Sequence, residues 1–375
     1  MITFNKPYLT GKEIEYIQEA VYTGKISGDG IYTKKCHEYF EKTFGFKKCL
    51  LTTSCTDALE MCALLLNVEP GDEIIIPSFT FVSTANAFVL RGAKIVFADS
   101  SEENPNIDAS LLESLITSKT KAIVVVHYAG ISCEMREIME LAEKYNLFVV
   151  EDAAQAIDSY FEDRPLGSIG HLATFSFHET KNIQCGEGGM LVINDENLNN
   201  RAEIIREKGT NRSAFFRGEI DKYSWVDIGS SFLPSEITAA FLYAQLEKLK
   251  EIQQRRKEIW INYHESFKNL EQLGKIQLPK IPVYASNNAH MFYLNCRSMH
   301  ERAKLILHLK SKQILSVFHY LPLHNSSYYS NKHDGRLLEK CDYYSDVLLR
   351  LPLYFELSPE EQSLIIDAVS DFYSS

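Results

Sequence analysis

The chain has 375 residues, room for two or three domains or for one large α/β unit with an appendage. Hydrophobic residues make up 45% and charged residues 24%, which excludes a disordered or fibrous protein. With 39 basic against 50 acidic residues the formal charge is −11, and no apolar run approaches the ~20 residues of a membrane span, so neither nucleic acid nor a membrane is expected as a partner.

The first residues, Met1-Ile-Thr-Phe-Asn-Lys-Pro, carry no signal-peptide core, so a cytoplasmic location is expected. The eight cysteines include no C-x-x-C pair and read as free, mostly buried thiols; neither a disulfide framework nor a metal site is expected. Gly28-Asp29-Gly30 lacks the third glycine of a dinucleotide loop and follows no strand, which disfavours a nicotinamide oxidoreductase.

From residue 49 onward short β-type runs alternate with helical stretches. Strands are expected at 49–52, 73–76, 94–98, 122–127, 147–151, 173–177 and 190–193, and helices at 56–66, 83–89, 109–117, 134–145 and 198–208. The runs 122–127 and 147–151 are continuously apolar until their ends, as in strands covered on both faces, so a mostly parallel, three-layer α/β domain is expected over 1–240. One long helical stretch, 235 to about 267, then follows, with Gln245, Lys248, Lys250, Arg255 and Arg256 on a wet face. A smaller α+β domain over 241–375 is expected to end in a helix near 359–372.

Ligands bind at the carboxyl ends of strands in open parallel sheets. The strand expected at 49–52 runs into Thr53-Ser54-Cys55-Thr56, a hydroxyl-rich turn opening a helix, which suits a phosphate and equally suits simple capping. Strand 147–151 runs into Asp152-Ala153-Ala154-Gln155, where Asp152 is either a helix cap or a carboxylate facing a positively charged ring nitrogen. Strand 173–177 runs into His178-Glu179-Thr180-Lys181, and Gly186-Glu187-Gly188-Gly189 follows. Lys181 reads alone as a solvated lysine, but past a buried strand it can be a desolvated nucleophile. An Asp and a Lys at two strand ends are together what a pyridine-ring aldehyde cofactor requires: the amine to bond it, the carboxylate to keep its ring nitrogen protonated. Ser176 could add a hydroxyl to the phosphate. His319 and His324 flank a rigid Pro turn in the second domain and could line a substrate cleft, although a lone histidine is usually structural.

The runs Ser54-Cys-Thr-Asp-Ala-Leu, Pro77-Ser-Phe-Thr-Phe-Val-Ser-Thr-Ala-Asn, Val149-Val-Glu-Asp-Ala-Ala-Gln, Phe175-Ser-Phe-His-Glu-Thr-Lys-Asn and Gly186-Glu-Gly-Gly resemble the pyridoxal-phosphate-dependent nucleotide-sugar aminotransferases of the DegT/DnrJ/EryC1/StrS group. The resemblance implies the aspartate aminotransferase-like architecture, fold type I. It implies pyridoxal 5'-phosphate bonded by Lys181, with Asp152 at its ring nitrogen, Gln155 at its ring hydroxyl and Phe81 stacked on its face. Ser54, Cys55, Thr56 and Ser176 would hold its phosphate. Family members often add an Asn from the partner subunit; the matching position here is Ser231. A homodimer with active sites at the interface is therefore implied.

Further runs, Ala85 to Phe97, Arg206-Glu-Lys-Gly-Thr-Asn-Arg-Ser, Phe215-Phe-Arg-Gly, Asp227-Ile-Gly-Ser-Ser and Val317-Phe-His-Tyr-Leu-Pro-Leu-His, resemble the branch serving enterobacterial common antigen. They imply transfer of an amino group from L-glutamate to C4 of dTDP-4-keto-6-deoxy-D-glucose, giving dTDP-4-amino-4,6-dideoxy-D-galactose. Lys25, Arg212, Arg217, His319 and His324 are the candidate nucleotide-sugar contacts. The alternatives are the gluco epimer, a C3 keto-sugar substrate and, in another class, a non-catalytic cofactor-binding regulator.

Overall fold

The computed structural model describes residues 1–374. Two helices, α1 (Glu13–Tyr22) and α2 (Ile31–Phe44), open the chain. Alternation follows: β1 (Cys49–Thr52), α3 (Cys55–Leu65), β2 (Glu73–Pro77), α4 (Val82–Val89), β3 (Lys94–Ala98), α5 (Ala109–Leu112), β4 (Thr120–Val126), α6 (Met135–Tyr145) and β5 (Phe148–Asp152). A short hairpin, β6 (Tyr160–Phe161) and β7 (Arg164–Pro165), leads to β8 (Leu172–Ser176) and β9 (Gly189–Ile193). Four helices come next: α7 (Asn199–Arg206), α8 (Arg212–Phe216), α9 (Glu236–Glu247) and α10 (Leu249–Gln272). The chain closes with β10 (Phe292–Asn295), α11 (Met299–Ser311), β11 (Val317–Phe318), α12 (Glu339–Val347), β12 (Leu348–Leu351) and α13 (Pro359–Ser374).

The main sheet has seven strands in the order β1-β9-β8-β5-β4-β2-β3, and only β9 runs against its neighbours. Side chains alternate faces along a strand, so neighbours such as Val149 and Val150, both fully buried, belong to two separate apolar clusters on opposite faces of the sheet. This is the three-layer, mostly parallel α/β architecture expected. Because β9 is antiparallel, β1 is parallel to β8 and β5. The carboxyl ends of all three therefore meet at one edge, where β9 begins.

A second, antiparallel sheet, β10-β12-β11, packs under α10, α11 and α13 around a third apolar cluster. The N-terminus joins this cluster: Ile2 forms a bridge with Ile314 and is buried there. No helix among the described residues is long and apolar enough to cross a membrane.

The elements depart from the expected ones in three places. α1 and α2 precede the alternation; α2 buries Tyr32, Cys36, Phe40 and Phe44, one stripe at i, i+4 spacing. The N-terminus of α2 is capped from afar, since Glu236 of α9 accepts from the Gly30 and Tyr32 amides, each at 2.8 Å. The long helical stretch is two helices, broken where Lys248 leaves helical geometry (φ −107°, ψ 6°) and its amide bonds back to Gln245. Gln245 and Arg256 are not on a wet face. Both are buried, Gln245 donating to Glu13 Oε1 (2.7 Å) and Arg256 to the carbonyls of Ala289 (3.1 Å) and His290 (2.7 Å). The segment 109–117 is one short α-turn followed by a 3₁₀ turn at Glu113–Leu115.

Candidate active site

One cavity of about 570 Å³ lies at the carboxyl edge of the main sheet, closed on its other side by the small sheet and by Phe4 and Asn5. Each wall follows from a strand end. β1 leads into Ser54, Cys55 and Thr56. β2 leads into Thr80, Phe81, Ser83 and Thr84. β5 delivers Asp152, Ala154 and Gln155, and β8 delivers Ser176, His178 and Lys181.

The β1–α3 turn is an anion-binding geometry. Ser54 caps α3, its Oγ accepting from the Asp57 amide at 3.0 Å. The amides of Cys55 and Thr56 stand at the N-terminus of the helix with no acceptor among the described residues, so they and the helix dipole face the cavity. Thr56 Oγ1 donates to Ser83 Oγ at 2.9 Å, which ties this turn to α4. Gly189, the first residue of β9, pairs with both Thr52 and Ser176 and presses against the turn. A Cβ there would sit 2.3 Å from the Ser54 carbonyl and 2.4 Å from the Cys55 nitrogen.

Asp152 ends β5, paired in register with Thr174 of β8, and is only 5% exposed. Thr84 Oγ1 donates to its Oδ2 at 2.7 Å and the Ala154 amide to its Oδ1 at 3.2 Å. Burial pushes its carboxyl above the ordinary range despite those donors and the nearby Lys181. The strand end is held by its neighbour: Glu151, fully buried, accepts from the amides of Gly167 (2.8 Å), Ile169 (2.8 Å) and Gly170 (2.6 Å) and lies 3.0 Å from His127 Nε2. Burial alone would raise Glu151, but these partners outweigh it and hold its carboxyl below the ordinary range.

Lys181 follows β8 and lines the same cavity with no hydrogen-bond or ion-pair partner on its Nζ among the described residues. Burial lowers its pKa, the Arg350 charge adds to this, and Cys55 and Asp152 oppose it. Gln155 is fixed from both ends: its Oε1 accepts from the Ala129 amide at 2.6 Å and its Nε2 donates to Tyr320 Oη at 3.3 Å. Phe81 stands at the mouth, 56% exposed, with its ring 6.2 Å from that of Tyr320.

The structure thus brings together Ser54, Cys55, Thr56, Phe81, Asp152, Gln155, Ser176, Lys181 and His319. It places Lys25, Arg212, Arg217 and Ser231 outside this cavity, exposed on the surface of the single chain. Lys25 donates to the Asp29 carbonyl (2.7 Å), and Arg217 pairs with Glu203 (2.8 Å) and Glu219 (2.7 Å). His324 departs from the expectation that it lines a cleft. It is buried away from the cavity, its Nδ1 2.7 Å from Ser78 Oγ, and pins its turn to the end of β2. His319 does face the cavity, its Nδ1 2.9 Å from Tyr128 Oη.

Sequence reasoning missed Thr84, His290 and Arg350. For Arg350 a signal existed, a single charge inside the apolar run Leu348-Leu-Arg-Leu; for Thr84 only the fold reveals that it points at Asp152.

Residues 7–370 match the DegT/DnrJ/EryC1/StrS aminotransferase family. The chain is 33% identical over 370 residues to GDP-perosamine synthase of Escherichia coli O157:H7, covering 98% of each chain. It is 32% identical over 383 residues to the spore coat polysaccharide biosynthesis protein SpsC of Bacillus subtilis, covering 99% of this chain and 96% of the relative. Among solved structures, Spr1654 of Streptococcus pneumoniae in its PLP-form superposes with a TM-score of 0.90 at 27% identity, covering 100% of this chain and 98% of the other.

Proposed function

Because the chain belongs to the DegT/DnrJ/EryC1/StrS aminotransferase family, we propose that this cavity holds pyridoxal 5'-phosphate and moves an amino group from L-glutamate to C4 of dTDP-4-keto-6-deoxy-D-glucose. The coarser statement, a pyridoxal-phosphate-dependent sugar aminotransferase, follows from the family and its relatives. One observation carries the assignment of the site: Asp152, at the end of β5, and Lys181, in the loop that follows the adjacent parallel β8, line one cavity and interact electrostatically.

The donor set fits the cofactor. The free amides of Cys55 and Thr56, with the hydroxyls of Ser54, Thr56 and Ser176, suit a phosphate. A carboxylate so buried that ionisation is disfavoured suits a cationic ring nitrogen as its counter-charge. When bound, the cofactor carries the amino group between substrates and spreads carbanion charge into its ring. Asp152 holds the proton on the ring nitrogen, oriented by Thr84 and the Ala154 amide. Gln155, fixed by Ala129 and Tyr320, offers its polar end to the ring hydroxyl. Lys181, its ammonium form disfavoured by burial, removes the proton from Cα of the amino acid and returns one to C4 of the sugar. The sugar face to which Lys181 delivers that proton sets the galacto or gluco outcome.

The phosphate turn yields a prediction. Gly189→Ala forces backbone apart at Ser54 and Cys55, so affinity for pyridoxal phosphate is expected to fall roughly 10- to 100-fold, as for loss of one or two charge-assisted hydrogen bonds. Titration of cofactor-free protein, followed by quenching of its fluorescence, measures this; unchanged affinity would show that β9 does not set the turn.

The thymidine and galacto assignments rest on the resemblance of the runs in 85–97, 206–231 and 317–324. A GDP-linked sugar is the second reading, favoured by the 33% identity to GDP-perosamine synthase. The homodimer is proposed on the exposed aromatics Phe81 (56%), Phe216 (69%) and Trp225 (82%), and on four candidate contacts, Lys25, Arg212, Arg217 and Ser231, that lie outside their own chain's cavity and would complete the partner's. The division near residue 241 is likewise proposed, supported by the two separate sheets. Incubating the pure protein with L-glutamate and each 4-keto or 3-keto nucleotide sugar, then reading product stereochemistry by NMR, is expected to give the galacto amine from the dTDP 4-keto sugar. Turnover confined to a GDP sugar or to the 3-keto isomer would overturn the finer assignment, and no turnover with any would overturn the site.

A further inference from the structure

The loop that leads into β10 carries His290, whose ring lines the cavity. Its backbone is held firmly: the His290 amide donates to Asn288 Oδ1 (3.0 Å) and its carbonyl accepts from Arg256 (2.7 Å). A buried chain of amides then decides which ring nitrogen carries the proton. Gln253 Nε2 faces only acceptors, the carbonyls of Ile157 and Asn288 and the Asp158 carboxylate, so its Oε1 is turned to Asn182. Asn182, the residue after Lys181, donates from Nδ2 to that Oε1 at 2.7 Å and to the Asn288 carbonyl at 2.9 Å. Its own Oδ1 is therefore left as an acceptor. His290 Nδ1 lies 2.8 Å from this Oδ1 and must donate to it, so in the neutral ring Nε2 is a bare acceptor. Burial, helped by the charges of Lys181 and Arg256, holds the ring neutral. Nε2 has no hydrogen-bond partner among the described residues, and Lys181, near enough for its charge to be felt at the ring, does not bond it.

We propose that His290 Nε2 accepts a hydrogen bond from the sugar hydroxyl on C3, the carbon next to the C4 carbonyl. This rests on the aminotransferase reading above and deepens it by naming a residue that selects the sugar. Lys181 must reach the reacting carbon in each half-reaction, so a substrate group that meets His290 lies within a bond or two of that carbon. On the amino acid, the α-amine is the group transferred and the carboxylate only accepts, so neither suits a bare acceptor. On a 4-keto-6-deoxy sugar, C5 carries a methyl group and the ring oxygen, which leaves the C3 hydroxyl as the one donor beside C4. The cofactor's ring hydroxyl is met by Gln155 in this reading. A fixed acceptor is thus matched to the sugar and mismatched to the amino acid.

Two substitutions divide the ring between them. In His290→Asn the new Nδ2 stands near the place of Nδ1 and keeps the bond to Asn182, while the place of Nε2 is empty. For this variant the affinity of the pyridoxal-phosphate form for dTDP-4-keto-6-deoxy-D-glucose, read by calorimetry without turnover, is expected to fall roughly 3- to 10-fold, as for loss of one neutral hydrogen bond. Affinity for the 3-deoxy analogue of that sugar should match the wild type's, and the ratio of the two affinities cancels any general damage to the cavity. His290→Gln returns an amide oxygen to the place of Nε2 and should recover part of the loss. His290→Phe fills the same space without an acceptor and carries the test where the asparagine variant does not fold. A GDP-linked 4-keto sugar has the same C3 hydroxyl and takes the place of the dTDP sugar if it alone binds. A wild type that binds both sugars equally, a ratio unaltered by the variants, or a larger defect in the glutamate half-reaction than in the sugar one would each overturn the proposal. Failure of the wild type to bind or aminate any keto nucleotide sugar would instead overturn the functional reading beneath it.

Discussion

Replacing Lys181 with alanine is expected to lower amino transfer by roughly 10³- to 10⁴-fold or more, because in the proposed mechanism one amine would both bond the cofactor and move the proton in each half-reaction. The fold should survive. Lys181 makes no hydrogen bond or ion pair among the described residues, so its removal strands no partner, and it relieves a lysine whose charge is disfavoured by burial. The sign of that shift matters: a lowered amine pKa raises the fraction of free base at neutral pH, which is the form that attacks and abstracts. Borohydride treatment followed by mass spectrometry should fix the cofactor to Lys181 in the wild type and to nothing in the variant. Steady-state turnover at the wild-type level in Lys181→Ala would end the proposal.

Asp152→Asn is expected to lose roughly 10²- to 10³-fold in rate while cofactor-free protein keeps or gains stability. Folding carries the Asp152 carboxyl into a site where burial raises its pKa. Since the folded value lies above the unfolded one, the folded state binds the proton more tightly. The wild type then loses stability as pH rises from the unfolded value through the folded one. Asparagine removes that cost. It also retains partners, since Thr84, 2.9 Å from Thr80 Oγ1, can turn its hydroxyl to accept from the new amide. Melting curves of cofactor-free protein should therefore show Asp152→Asn at or above the wild type at pH 7, with the difference closing toward pH ~4. Adding pyridoxal phosphate should reverse the order, because only the carboxylate gains a cationic partner. Equal rates, or equal stabilisation by the cofactor in both proteins, would show that Asp152 does not hold the ring nitrogen.

Residues tied to a local pattern were legible beforehand. Continuous apolar runs gave β4 and β5, because a strand covered on both faces shows no alternation. Polar residues following buried strands, Asp152 at once and Lys181 four residues after its run, stood out because a chain leaving a buried strand emerges at the sheet edge. The stripe of Tyr32, Cys36, Phe40 and Phe44 was equally local, and α2 could have been read from it. Gln245 and Arg256 show the opposite case. Their polarity suggests a wet face, yet each is buried because a distant segment, Tyr8 to Glu13 or Ala289 to His290, supplies acceptors. His319 and His324, five residues apart, part company for the same reason: Ser78 claims one and the cavity keeps the other.

The sequence alone therefore determined the three-layer architecture, the strands that end at the site and the acid and amine standing there, because periodicity and strand ends are properties of neighbouring residues. Only the tertiary structure decided that β9 runs backward to press Gly189 on the β1–α3 turn, that Thr84 donates to Asp152, and that Arg350 reaches the cavity from the small sheet without a counter-ion among the described residues. Those facts depend on contacts between residues far apart in the chain, and hydropathy reports which face a side chain takes but not what meets it there.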